Sequence, residues 1–282
     1  MVVSKSISDG LAIFIGLYLV FMFYWTSEVI KNVVHITIAG VFGTFYFLGV
    51  ADPSGRVDVP VKNPTVQAAK RALTTSLGPN CYGSLLIAII QLVRFIVNTA
   101  RQSAQDADNS NLILKTFLTV DIVACVVCLC CVECFVAMIE SLLEYFNKYA
   151  FTQVAIYGKD FCSAGRDTWE LIKSRGIDLI IVDDLIGNVL AIGAFVIGLV
   201  NAAGGALFVL LSTMPKTSTY YMVVAVIGFL VGIAEFSILS VVIDSGVATT
   251  FVCIAEDSLA IAQKQPELYH QIQQTYPAVV FF

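Results

Sequence analysis

The sequence predicts an all-α protein, a polytopic transmembrane helix bundle of about six spanning helices, on three observations. Apolar types make up 58% of its 282 residues and charged types only 13%, whereas an ordinary soluble domain is about a quarter charged. Several apolar runs are long enough to cross a hydrocarbon core about 30 Å thick. Lys and Arg then fall unevenly on alternate sides of those runs, as they do in membrane proteins.

The first apolar tract, from about Leu11 to Val50, is twice the length that one crossing needs at about 1.5 Å per residue. The polar group Thr26, Ser27, Glu28, Lys31 and Asn32 is the natural place for a turn, which gives helices at 10–26 and 29–50. The tract continues past Trp25 without a small-residue cleavage pattern, so it reads as a retained helix and not as a signal peptide.

Beyond Asp52 comes a polar connection with Pro53, Pro60 and Pro64, and an amphipathic piece from Val66 to Leu77 with Lys70 and Arg71 on its wet side. A third helix is expected at 82–98, followed by a loop made of the polar RQSAQDADNSN segment. A fourth, at 116–146, exceeds the hydrocarbon thickness and ends in a turn carrying Glu140 and Glu144. Residues 147–176 read as an amphipathic connection lying along the interface.

The fifth helix, 177–211, is over-long and needs a tilt, a break near Asn201 to Gly205, or a projecting end. The sixth spans 220–253, so that 1–255 is the transmembrane region and 256–282 a polar cytosolic tail. Eleven Lys and Arg collect on the side of Lys5, Lys62, Lys148 and Lys264, against Lys31, Arg101, Lys115 and Lys216 on the other. The first side is therefore assigned to the cytosol, with both ends in it.

Small residues at four-residue spacing let helices approach closely where no water drives them together. Ala194, Gly198, Ala202 and Ala206 form one such stripe, and Gly228 and Gly232 another. Packing within the bundle is the expected use.

Ionisable groups inside the spans are costly, by about 2.5–3.5 kcal/mol each on insertion scales, which makes them candidates for function. They are Arg94, Asp121, Glu133, Asp183, Asp184, Glu235 and Asp244, with His35. Arg94 and Asp121 are expected to pair. Glu133 lies mid-helix and should be paired or protonated, with a structural or a site role. Glu235 and Asp244, with Ser237 and Ser240 between them, could wet one face of a pathway, while Glu28, Lys31 and His35 share a helix face. A hydrogen bond at the interface is the expected fate of His35.

Five of the eight Cys cluster at Cys125, Cys128, Cys130, Cys131 and Cys134. One apolar helix cannot wrap four thiolates tetrahedrally around an ion, so no metal site is expected. No phosphate loop, nucleophile elbow or HExxH occurs, which leaves neither an enzyme nor a cofactor reading. Nucleic-acid binding would need a concentrated basic face that this chain, with a net charge of -5, does not offer.

Four stretches carry a resemblance: YWTSEVIKNVVHITIAGVFGTFYF (24–47), LTTSLGPNCYGSLLIAIIQLVR (73–94), FNKYAF with AIYGKDFC (to 162), and FVCIAED (251–257). They resemble the choline transporter-like family, most nearly its fungal branch. The resemblance implies ten helices with cytosolic ends, of which this chain would be the last six, the first helices being absent. It further implies a plasma-membrane solute carrier for choline or ethanolamine-like cations, with membrane lipids as the other partner. A non-transporting scaffold or lipid-interacting protein is the alternative. Animal members tend to have Lys where this chain has Asp184, and an Asp near the position of Ala248, where this chain has Asp244 a turn earlier.

A quaternary ammonium offers no N–H and is held by aromatic faces and a nearby carboxylate. The candidate substrate-binding set is therefore Tyr24, Trp25, Phe45 and Tyr46, with Glu133, Asp183, Glu235 and Asp244. The rings of Tyr24, Trp25 and Tyr46 are expected to outweigh any single carboxylate.

Overall fold

The computed structural model describes residues 2–51, 57–110, 119–211, 217–264 and 266–275, and leaves the side chains of 2–9, 104–110, 119–129 and 175–184, among others, undescribed. Among the described residues eight helices follow in order: α1 Val2–Leu48, α2 Pro64–Leu73, α3 Leu77–Ser110, α4 Thr119–Tyr157, α5 Phe161–Leu211, α6 Ser218–Glu256, α7 Ser258–Lys264 and α8 Pro266–Thr275. A two-residue antiparallel pair, Val50–Ala51 with Val57–Asp58, is the strand content of the described residues. The all-α, polytopic reading stands. Among the described residues, Gly10–Leu48, Leu77–Ser103, Leu185–Leu211 and Ser218–Glu256 are long and apolar enough to cross a membrane.

Three boundaries differ from the sequence expectation. The turn placed at Thr26 to Asn32 is absent, and α1 runs unbroken for 47 residues, about 70 Å. Glu28, Asn32 and His35 are buried, so these side chains bond neighbouring helices rather than breaking the helix to reach water. Lys5 and Gly49 consequently lie at opposite ends of one helix, with no turn between them.

The segment read as a loop after Asn98 continues α3 to Ser110. Thr99 and Ser103 return their hydroxyls to the carbonyls of Phe95 and Thr99, at 2.8 and 3.0 Å, so these polar residues are satisfied within the helix. The 147–176 stretch is no surface connection but the end of α4 and the start of α5. Tyr149, Ala150, Phe151 and Val154 in it are at most 1% exposed. Of the tilt, break or projecting end offered for the over-long fifth helix, the break is absent, since α5 is continuous through Asn201 to Gly205, and the polar tail carries α7 and α8.

The chain divides into two compact units. Unit one holds Met1–Ile36 and Ala69–Arg166, around a core of Ile36, Ala72, Ala150, Phe151 and Phe161. Gly83 of α3 makes that core possible: a Cβ there would lie 2.5 Å from both Phe151 Cζ and Phe161 Cε2. The α4–α5 turn is equally local in origin. Gly158 takes φ +66, a conformation that favours glycine, and its N–H closes on Val154 O at 2.9 Å. Asp160 then caps α5, accepting from Ser163 N at 3.1 Å and from Ser163 Oγ at 2.6 Å. Lys159 covers the Tyr157 ring at 4.6 Å. The YGKDF motif is thus a turn with each residue assigned.

Unit two holds Thr37–Ala68 and Asp167–Phe282. In it α5 and α6 meet along the small-residue stripes. A Cβ on Gly228 would lie 2.8 Å from Asn201 O, and one on Gly232 2.9 Å from Ile197 O. Gly198 receives the Phe229 ring. The stripes therefore serve packing within the chain. At the far end of α6, Asp257 accepts the Tyr46 hydroxyl on its carbonyl at 2.6 Å and the Ala260 N–H on its carboxylate at 3.1 Å, which caps α7.

Candidate functional site: a buried polar seam

Polar side chains on α1 recur at 28, 32 and 35 inside an apolar tract, a spacing that puts them on one helix face. In unit one that face meets α3 and α4. Asn32 Nδ2 donates to Ser84 Oγ at 2.9 Å, Ser84 donates to Asn80 Oδ1 at 3.1 Å, and Asn80 Nδ2 donates back to Val29 O at 3.1 Å. His35 Nε2 lies 2.9 Å from Lys148 O and 3.1 Å from Thr152 Oγ1. A carbonyl only accepts, so Nε2 carries the hydrogen toward it. The hydrogen bond expected of His35 is present, but buried and directed to α4.

Glu28 sits at the top of this seam, 6% exposed. Its Oε1 accepts from Gln91 Nε2 at 3.1 Å, while Oε2 is buried with no hydrogen bond among the described residues. What faces Oε2 is the Lys31 ammonium at 3.6 Å, which also lies 3.5 Å from Glu144 Oε1. A buried carboxylate is tolerated only when paired, and this one is paired loosely. Three residues before it, Trp25 donates its indole N–H to Cys81 O at 3.1 Å, and the Phe21 ring stacks on it with centroids 6.3 Å apart. Tyr24 is half-buried beside it.

Two further ion pairs continue along α3 and α4. Arg94 pairs with Glu140 at 2.6 Å and Arg101 with Glu133 at 2.6 Å. Arg94 is thus paired with Glu140; Asp121, its expected partner, has its side chain outside the described residues. The two pairs step in opposite directions by seven residues, the register of antiparallel helices. Glu133, expected to be paired or protonated, is paired.

The other predicted residues lie elsewhere. Asp183 falls among the side chains outside the description. Phe45, Tyr46, Glu235 and Asp244 belong to unit two; Phe45 and Glu235 are exposed and Asp244 half-buried. Ser237 and Ser240 give their hydroxyls to carbonyls of their own helix, Ile233 O and Ser237 O, both at 2.8 Å. Sequence reasoning placed Glu28 on a helix face with Lys31 and His35 but gave it no site role, used Asn32 only to mark a turn, and passed over Asn80, Ser84 and Gln91. The signal available was their helical spacing within apolar runs.

Continuous helices of spanning length, with ion pairs and a buried carboxylate between them, define a multi-pass α-helical membrane protein. The family described as plasma-membrane choline transporter matches residues 3–259. Protein PNS1 of Mycosarcoma maydis is 39% identical over 281 residues, 98% of this chain and 49% of that protein. Protein PNS1 of Yarrowia lipolytica is 33% identical over 280 residues, with 98% and 46% covered. A CTL-like protein of Dictyostelium discoideum is 36% identical over 263 residues, with 93% and 42% covered. The chain spans about half the length of the curated relatives it matches. It belongs to the choline transporter-like family.

Proposed function

We propose that this chain is the part of a plasma-membrane carrier that holds choline or a related amine, with the cation at Glu28 beside Trp25. The observation that supports this most is the buried Glu28 Oε2, which has an ammonium 3.6 Å away and no hydrogen bond among the described residues. A quaternary ammonium has no N–H to donate, so it suits a carboxylate oxygen that asks for charge alone. Trp25, its edge tied to Cys81 O, offers a ring one turn away on the same helix. A desolvated ring–cation contact is worth about 2 kcal/mol. The family's description favours the same class of substrate.

Phe45, Tyr46, Glu133, Asp183, Glu235 and Asp244 stay as secondary candidates for the pathway. The basic residues at 148–175 and Lys264 support a cytosolic placement for the α4–α5 turn and the C-terminal tail.

The test is labelled-choline binding to the purified chain in lipid nanodiscs, and uptake into proteoliposomes. Glu28→Gln and Trp25→Leu should each weaken choline binding about tenfold or more, the first by removing the charge and the second the ring. Wild-type affinity in Glu28→Gln would remove this site. If Asp183→Asn or Glu235→Gln abolished binding while Glu28→Gln did not, the cation would belong with unit two.

A further inference from the structure

Lys31 stands apart from the other cations of the seam. Arg94 and Arg101 approach their carboxylates to 2.6 Å, within the length of a charge-assisted hydrogen bond. Lys31 instead sits 3.6 Å from Glu28 and gives Glu144 a long hydrogen bond of 3.5 Å, shared between two acids and held closely by neither. Its side chain is 60% exposed against 8% for that of Glu28. The carboxylate is fixed, by burial and by Gln91, and the ammonium on its flexible four-carbon stem is the partner free to move.

We propose that Lys31 is a tethered cation that occupies the organic-cation site when substrate is absent and swings out when substrate arrives. This rests on the reading of Glu28 as the cation site and adds how that site is regulated. A buried carboxylate stripped of its partner is strongly disfavoured, so Lys31 leaves only as another cation enters, and Glu28 stays neutralised in both states. Outward movement need not strand the lysine, because Glu144, with 40% of its side chain exposed, stays available as an anchor toward solvent. Lys31 also competes with substrate: the fraction of sites it fills lowers the apparent affinity by that fraction.

Two measurements test the exchange. In the first, choline and tetramethylammonium binding are compared for the wild type, Lys31→Gln, Lys31→Arg and Glu28→Gln in nanodiscs. Lys31→Gln should bind both cations about fivefold or more tightly, because the competitor is gone, while Lys31→Arg should bind no more tightly than the wild type. The second uses the unaltered protein and so does not depend on a variant folding. An amine-acylating reagent is applied with and without saturating choline, and modification of Lys31 is read by peptide mass spectrometry against Lys70, an exposed reference. Choline should raise Lys31 modification about threefold or more and leave Lys70 unchanged. Lys31 modification that does not move or falls with choline, or Lys31→Gln affinity at or below wild type, overturns the exchange. If Glu28→Gln loses choline at the same time, the cation site survives and only the tethered lysine falls. If Glu28→Gln binds like the wild type, both fall.

Discussion

Asn147 of α4 donates its side-chain amide to the carbonyl oxygen of Gly83 on α3, 3.2 Å away, where the absence of a side chain on Gly83 lets the two helices close. That approach depends on the rings of Phe151 and Phe161 filling the volume a Cβ would take. Both rings are rigid and buried, so neither can yield. Gly83→Ala should destabilise unit one by about 1–3 kcal/mol, read as a lower midpoint of thermal unfolding in detergent. Adding Phe151→Leu should recover part of the loss, since the clash is with that ring.

Glycines in unit two should separate by what surrounds them. At Gly232 a Cβ would lie 2.7 Å from Asn201 Nδ2 and 2.9 Å from the Ile197 carbonyl oxygen, which is backbone; at Gly204 nothing lies within 4 Å. Gly232→Ala should force α5 and α6 apart and lower the unfolding midpoint. Gly204→Ala should leave it unchanged or raise it, by about 0.5–1 kcal/mol, the helix preference of Ala over Gly. The order of the two midpoints checks the seam.

The Arg94–Glu140 pair predicts a charge-swap rescue. Arg94 is half exposed while Glu140 keeps only 11% of its side chain accessible, so losing the arginine hurts mainly by leaving the acid unpaired. Arg94→Gln should cost on the order of 1 kcal/mol, discounted for the solvent that screens the arginine. Arg94→Glu should cost more, because it sets two acids together, and Arg94→Glu with Glu140→Arg should regain most of that. Unfolding midpoints of the four proteins decide it, and a double variant as poor as Arg94→Glu would deny the pair.

The cap on α5 predicts a pH dependence. The Ser163 hydroxyl and N–H hold the Asp160 carboxyl below its ordinary value of 3.8, so the folded state prefers the ionised form. A depressed folded value means that this stabilisation is complete above the unfolded carboxyl's pKa and is lost as pH falls through the lower folded one. Asp160→Asn keeps a capping oxygen but cannot titrate. Stability measured from pH 7 down to pH 3 should therefore fall less steeply for Asp160→Asn than for the wild type, and the two curves should converge at the acid end.

Much of the fold was legible because the signals were local. The apolar length of 185–211 and 218–256 marks spans without reference to any partner, and the stripes at Gly198, Gly228 and Gly232 announce close packing by their spacing. The turn at Gly158 and Asp160 is as local, set by five residues, yet the sequence reading left it unmarked inside the 147–176 connection. The seam was half legible. Glu28 and His35 could be placed on one helix face, but polar residues in an apolar tract admit two outcomes, a break to reach water or burial against partners. Only the presence of Gln91, Ser84 and Thr152 opposite them selects the second. The break expected at Thr26 to Asn32 failed for that reason.

By itself the sequence determined the class: an all-α membrane protein, with spans set by summed hydrophobicity and a family set by dispersed motifs, both properties that accumulate residue by residue along the chain. The tertiary structure decided who bonds to whom. It kept α1 whole, turned residues 147–157 from an interfacial connection into core, gave Arg94 to Glu140 and bound Glu28 Oε1 to Gln91 while Oε2 faces Lys31. Hydrogen bonds and ion pairs are short-ranged, and those that run between α1, α3 and α4 join partners 32 to 117 residues apart, a separation that no local pattern spans and that only the packing of these helices resolves.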